Sequence, residues 1–155
     1  MILPIPPSKR NLRLSVAAIL RNASGRVLIC ERLDEPGSWQ FPQGSVGRTE
    51  SLEDALRREL FEEIAIRPDY YRIIVAKGPY HYLFTRPKKG FDGKQQHYFL
   101  CDFFGPDTAI NVQTEHPEFR NHRWIHPSEF LLRWISSAKQ PVYRSVFQDF
   151  FDQTL

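Results

Sequence analysis

Cysteine, methionine and long apolar runs are scarce in this sequence, and each scarcity excludes something. Its two cysteines, Cys30 and Cys101, lie far apart in strand-like runs with no second cysteine nearby. Neither a disulfide framework nor a cysteine zinc site is indicated, and both are expected to be buried, reduced thiols. No run is apolar for long enough to span a bilayer, and Met1 to Arg10 lacks the apolar core of a secretory signal, so a cytoplasmic protein without membrane contact is expected. The five histidines, at 81, 97, 116, 122 and 126, show no i, i+4 pairing of helical metal ligands. Repeats, low-complexity segments and linkers are missing too. With 155 residues, 41% hydrophobic and 14% aromatic, the chain is expected to form one domain over residues 1–155. A net charge of +3 and a pI near 9.0 suit an anionic partner, but charge alone speaks to association and not to chemistry.

The informative stretch runs from Trp39 to Ile66, WQFPQGSVGRTESLEDALRRELFEEIAI. Its first half is loop-like, with Pro42 and the glycines Gly44 and Gly47 allowing close backbone approach to a ligand. From Ser51 the pattern turns helical. Ser51 is a good N-cap, Asp54 follows three residues later, and Leu52, Leu56, Leu60 and Ile64 recur every fourth residue, predicting a helix over 51–64. On a helical wheel Glu59 and Glu63 fall within about 20° of Leu52, and Glu62 lies near its other flank. Three carboxylates therefore share one edge of the inward face. A run of glutamates is ordinarily solvated helix surface. Here the same edge packs inward, where like charges repel and desolvation penalises them unless a cation is present. Mg²⁺ or Mn²⁺, hard ions that prefer carboxylate oxygens, would resolve the conflict.

Gly44, five residues, Glu50, seven residues, then Arg58-Glu59-Leu60-Phe61-Glu62-Glu63-Ile64-Ala65-Ile66 resembles the Nudix box, GX5EX7REUXEEXGU, at every fixed position but Ala65, where that family has glycine. The departure falls at the helix C-terminus, beyond the carboxylates. The resemblance implies an α/β fold, an α/β/α sandwich around a central mixed sheet. It also implies metal-assisted attack of water on a phosphorus within a polyphosphate. Glu59, Glu62 and Glu63 would then be ligands of Mg²⁺ or Mn²⁺, with the Gly44 carbonyl completing the shell and Arg58 orienting the carboxylates. Glu118 matches the position of the family's general base, with Glu115 second. Intact Glu59, Glu62 and Glu63 argue against a module that binds nucleotides without turning them over.

Within the superfamily, Trp39-Gln40-Phe41-Pro42-Gln43-Gly44, the Gly93-Lys94-Gln95-Gln96 element, Ile110 to Thr114, Pro117-Glu118-Phe119, Trp124 and Val142-Tyr143 are similar to motifs of dinucleoside polyphosphate hydrolases and of bacterial RNA 5′-pyrophosphohydrolases. Ser45 departs from the Gly-Gly usual in both. The expectation drawn is asymmetrical cleavage of diadenosine tetraphosphate to ATP and AMP; the alternative is removal of pyrophosphate from triphosphorylated RNA 5′ ends. A small nucleotide partner is expected, an RNA 5′ end is the alternative partner, and no obligate protein partner is foreseen. Phosphates need cations, so Lys94 is the first candidate contact, followed by Arg32 and Lys77, with Gln43 beside the box. Bases need flat apolar surfaces, and Tyr82 and Phe84 are the candidates for stacking.

Along the rest of the chain, a Pro-rich leader precedes strands at 12–20 and 26–30 joined by a turn through Asn22 to Gly25. Further strands are expected at 70–76, 80–85 and 95–103, the last two separated by a basic loop over 86–94, then short strands at 110–112 and 119–125. Closing helices are expected at 128–137 and 141–152.

Overall fold

The computed structural model describes residues 10–155; the Pro-rich leader lies outside them. Among the described residues, seven strands form one mixed sheet: β1 (Leu12–Arg21), β2 (Val27–Arg32), β3 (Trp39–Gln40), β4 (Gln43–Ser45), β5 (Tyr71–Lys88), β6 (Phe91–Phe103) and β7 (Phe119–Ile125). The order is β3-β2-β1-β6-β5, with β4 added to β1 and β7 to β2. β1 runs parallel to β6 along its whole length, and the other pairings are antiparallel. Two α-helices, α1 (Leu52–Ile64) and α2 (Gln140–Phe151), cover the sheet.

Strand alternation sorts the core into two layers. Val16, Ala18, Leu20, Leu28, Cys30, Phe99 and Cys101 face one side and meet Leu56, Leu60 and Ile64 of α1. Ala17, Ile19, Val27, Ile29, Tyr98 and Leu100 face the other and meet Val142, Tyr143, Val146 and Phe147 of α2. With both faces covered, β1 and β2 read as nearly continuous apolar runs. Cys30 and Cys101 are free and buried, as expected.

The feature that makes room for a site is the early separation of β1 from β2. They pair only at Arg21↔Val27. β1 then takes β4 as its neighbour, through Ser15↔Ser45, Val16↔Gly44 and Ala17↔Gln43, while β2 turns to β3 and β7. Residues 39–45 bridge the gap, and the Phe41 N–H donates to the Tyr143 hydroxyl of α2 at 3.2 Å, tying that bridge to the far layer.

Helix α1 begins as its sequence dictates, with the Ser51 hydroxyl accepting from the Asp54 N–H at 3.1 Å. Its end is less ordinary. Ala65 is in the left-handed region at φ 62°, and the Ile66 N–H closes back on the Leu60 carbonyl, so the glycine-type cap is kept by a residue with a Cβ. That conformation costs a non-glycine residue about 1–2 kcal/mol.

Several expected elements come out differently. The strands expected at 70–76 and 80–85 are one strand, β5, irregular at Lys77/Tyr80, where the Gly78-Pro79 peptide is cis. The basic loop over 86–94 is instead the end of a β5–β6 hairpin: Lys89 and Gly90, at φ 50° and 84°, make a two-residue turn whose twist matches the flanking strands. No strand forms at 110–112. Ile110 plugs into the α1-side core with Val112 half-buried beside it, and the Asn111 N–H goes to the Ile64 carbonyl, leaving no ladder to join. The helix expected at 128–137 resolves into two 3₁₀ turns, Pro127–Glu129 and Leu132–Trp134. Their buried anchors, Phe130 and Ile135, are five residues apart and do not share an α-helical face. Among the described residues no helix is long and apolar enough to cross a membrane.

Candidate active site

A cleft of about 590 Å³ opens where β1 and β2 part. One wall is acidic, lined by Glu59 and Glu63 of α1 and by Glu118 from the loop before β7. The same cleft is lined by Arg32 at the end of β2, next to Glu118 where β2 pairs with β7, and by Lys88 of β5, Lys94 of β6 and Lys139 just before α2.

Spacing i, i+4 on α1 brings the Glu59 and Glu63 carboxyls together. Gly44 lies against them: a Cβ there would overlap the Glu59 carboxylate and force it to move. Glu63 is 3% exposed and its Oε2 has no hydrogen-bond partner. Burial, then the charges of Glu59 and Glu118, push the Glu63 carboxyl well above its ordinary range. Burial also raises Glu59, against the pull of Arg58. A buried, orphaned carboxylate oxygen beside a second carboxylate and a backbone strand suits a hard divalent cation, Mg²⁺ or Mn²⁺.

Glu62 stands apart. It is more than half exposed and held at 3.2 Å by Arg58. In keeping with this, among the described residues no three acidic, imidazole or thiol groups form a ready-made cage. Arg58 is the hub of this wall. Its Nε and Nη2 donate to the two Glu50 oxygens at 2.7 and 2.8 Å, Nη1 to Glu59 at 2.8 Å, and Nη2 to the Ser45 carbonyl at 2.8 Å. This fork, with the Gly47 N–H, holds the Glu50 carboxyl down at about 2. Glu50 is thereby a clamp between loop and helix.

Of the two loop glutamates, Glu118 lines the cleft, and its charge is felt by both Glu63 and Lys94. Glu115 is 92% exposed beside His116, on the rim of an adjoining hollow. Lys94 is sunk into the cleft floor, where burial lowers its pKa against the opposing pull of Glu63 and Glu118. Gln43 also lines the floor and accepts from the buried Gln96 amide.

Tyr82 and Phe84 both reach the cleft but are partly spoken for. Tyr82 is 7% exposed, belongs to the α2-side core and meets Phe84 edge-on at 5.9 Å; the Lys88 Nζ lies 5.0 Å over the Phe84 ring. Lys77 is not part of the site. Its Nζ donates to the Asp149 carbonyl and lies 5.0 Å over Phe150, fastening α2 to β5.

Lys139 and Gln40 escaped the sequence reading. The Lys139 Nζ is 3.4 Å from the Gln40 Oε1 and 6.0 Å from the centre of the Tyr82 ring. Burial, followed by the charges of Lys94 and Arg32, lowers its pKa to about 8. The available signal was a lysine directly before a helix that opens on Gln-Pro, the end of a helix where anions are favoured.

Comparison with known proteins follows the same lines. The NUDIX domain family profile matches residues 11–146. The RNA pyrophosphohydrolase of Shewanella frigidimarina is 34% identical over 151 residues, covering 92% of this chain and 87% of that protein. Among solved structures, a C. elegans Ap4A hydrolase in a binary complex superposes with a TM-score of 0.64 at 22% identity, covering 90% of this chain and all of the other. A NUDIX hydrolase from Nitrosomonas europaea gives 0.65 at 18% identity, over 91% and 89%. At these identities the two structures speak for the fold.

Proposed function

Since this chain belongs to the NUDIX domain family, we propose that it is a metal-dependent pyrophosphohydrolase that removes pyrophosphate from triphosphorylated RNA 5′ ends. The observation that carries the reading is one cleft lined both by Glu59, Glu63 and Glu118 and by Arg32, Lys88, Lys94 and Lys139. The RNA pyrophosphohydrolase relatives, matched over most of both chains, support RNA as the substrate and reverse the order expected from sequence.

Glu59 and Glu63 would hold the divalent ion, the Gly44 carbonyl and Glu62, once released from Arg58, would complete its shell, and Arg58 keeps Glu59 in place. When bound, that ion neutralises the polyphosphate and makes its water more acidic. Lys94 and Lys139 take the phosphate oxygens, and Arg32 and Lys88 extend that cationic wall towards the mouth. Glu118 accepts the proton of the attacking water. Water oxygen joins the phosphorus nearest the ribose, the bond from that phosphorus to its bridging oxygen breaks, and pyrophosphate departs, leaving a 5′-monophosphate.

Asymmetrical cleavage of diadenosine tetraphosphate remains the second reading, because Tyr82 and Phe84 do line the cleft. Both are tested by one product assay with Mg²⁺ or Mn²⁺. Faster release of pyrophosphate from triphosphorylated RNA is expected; faster formation of ATP and AMP from diadenosine tetraphosphate would install the second reading. Turnover of neither would end both.

A further inference from the structure

The cleft's cations are not equally available. Lys94 and Lys139 are sunk into it, and neither has a carboxylate within ion-pair distance among the described residues. Arg32 is occupied. Its Nε and Nη2 donate to the two Asp34 oxygens at 3.0 and 2.7 Å, and its Nη1 is 3.1 Å from the Glu35 Oε2. All three guanidinium nitrogens are therefore engaged by two consecutive acids from its own loop. The fork geometry is the one arginine uses on phosphate.

The loop is built to keep those acids at hand. Its two ends are joined by the Arg32 N–H to the Ser38 carbonyl, and the Leu33 N–H donates to the Glu118 carbonyl. Gly37, at φ 89°, turns the chain while its N–H donates to Glu31. Asp34 and Glu35 stand at the tip, largely exposed, and Glu35 also lines the cleft. Their charges reach Lys139 as well as Arg32. Exposed ion pairs of this kind are weak and easily exchanged.

We propose that Asp34 and Glu35 are an internal counter-anion, occupying Arg32 in place of a substrate phosphate and setting the affinity of the cleft for polyphosphate. A ligand that reaches Arg32 must displace both carboxylates; one that stops at Lys94 and Lys139 need not. The device lowers ground-state affinity for substrate and for released pyrophosphate alike, which favours product release. It rests on the proposed polyphosphate reading of the cleft.

Binding of inorganic tripolyphosphate to the whole protein, measured by calorimetry in the presence of Mg²⁺, tests it without turnover of RNA. Asp34→Asn with Glu35→Gln is expected to tighten binding about three- to tenfold, the worth of a few exposed ion pairs. The same pair of changes in an Arg32→Gln background should change it less than twofold. Weaker binding by the double variant would mean that the acids hold Arg32 in its productive pose, and that overturns the proposal. An equal gain with and without Arg32 would reduce the effect to general repulsion and overturn it too. A tripolyphosphate that does not bind the unaltered protein would instead sink the polyphosphate reading itself.

Discussion

Glu63→Gln separates a metal ligand from a structural ion-pair partner more sharply than any other change. In the metal-free protein the buried Glu63 carboxyl has an orphaned oxygen, and its charge is opposed by Glu59 and Glu118. An unsatisfied buried polar group costs about 1–3 kcal/mol. The amide keeps the shape, offers an N–H to Glu59 and cannot ionise, so the metal-free variant should melt above the unaltered protein. With saturating Mg²⁺ the order should invert. An ion at about a hundred times its Kd stabilises a one-site protein by about 2.7 kcal/mol. For a chain of this size that is a rise in Tm of roughly 5–11 °C, which the variant should largely lose.

The pH dependence carries its own sign. Glu63 has a folded pKa raised above its ordinary value of 4.5. Between the two values the folded state binds more protons than the unfolded one, so metal-free stability must fall as pH rises through that window. The Gln variant should lose this slope. Melting curves from pH 4.5 upward, with and without Mg²⁺, read all of this at once. A metal-free variant that melts well below the parent, or one that keeps the full response to Mg²⁺, would refute the reasoning.

Glu118→Gln should lower kcat by about 10² to 10⁴ with little change in KM, and Glu115→Gln should do far less, in steady-state assays on triphosphorylated RNA; the reverse ranking would move the proton acceptor to Glu115. Lys139 is a cation only below its lowered pKa of about 8, so kcat/KM should decline as pH rises through 8, and Lys139→Gln should remove that limb of the profile while raising KM. For stability the sign is opposite: between about 8 and 10.5 the unfolded chain holds more protons at this lysine, and folding gains as pH rises. Ala65→Gly should raise stability by about 1 kcal/mol, since it removes a Cβ from a left-handed cap, and denaturant unfolding with an unchanged slope would show it.

What could be read from the sequence was whatever is encoded locally. Ser51, the four-residue leucine repeat and Glu59 with Glu63 all lie on one helix, where spacing along the chain converts directly into neighbourhood in space. Apolar runs joined by the Asn22 to Gly25 turn located β1 and β2, and aromatic content located β6, for the same reason. The failures have a common cause in tertiary override. Residues 86–94 look like a loop because they are basic, yet a left-handed Lys89-Gly90 turn lets them extend a hairpin. Residues 128–137 carry helix-compatible composition, but Phe130 is drawn into the aromatic stack with Phe41, Tyr143 and Phe147, and Ile135 separately into the same buried layer. Lys77 carries the charge expected of a phosphate contact but sits before the irregularity in β5, where the nearest acceptor is the α2 backbone.

The two walls of the cleft illustrate the difference. Its helix-borne carboxylates come from one turn of one helix, so their mutual repulsion is built in, and it is relieved by Arg58 on the same helix and, in the proposed reading, by a divalent ion. Its cations come from four segments that meet only after β1 and β2 have parted and α2 has closed over the sheet. No spacing rule connects Arg32, Lys88, Lys94 and Lys139. Because each is carried by a different element, each has a different second partner: Asp34 and Glu35 for Arg32, the Phe84 ring for Lys88, the buried floor for Lys94, Gln40 for Lys139. The acidic wall is therefore, in the metal-dependent reading proposed above, the part least free to vary. The cationic wall can be tuned one residue at a time, and it is there that differences in substrate between proteins of this fold are expected to reside.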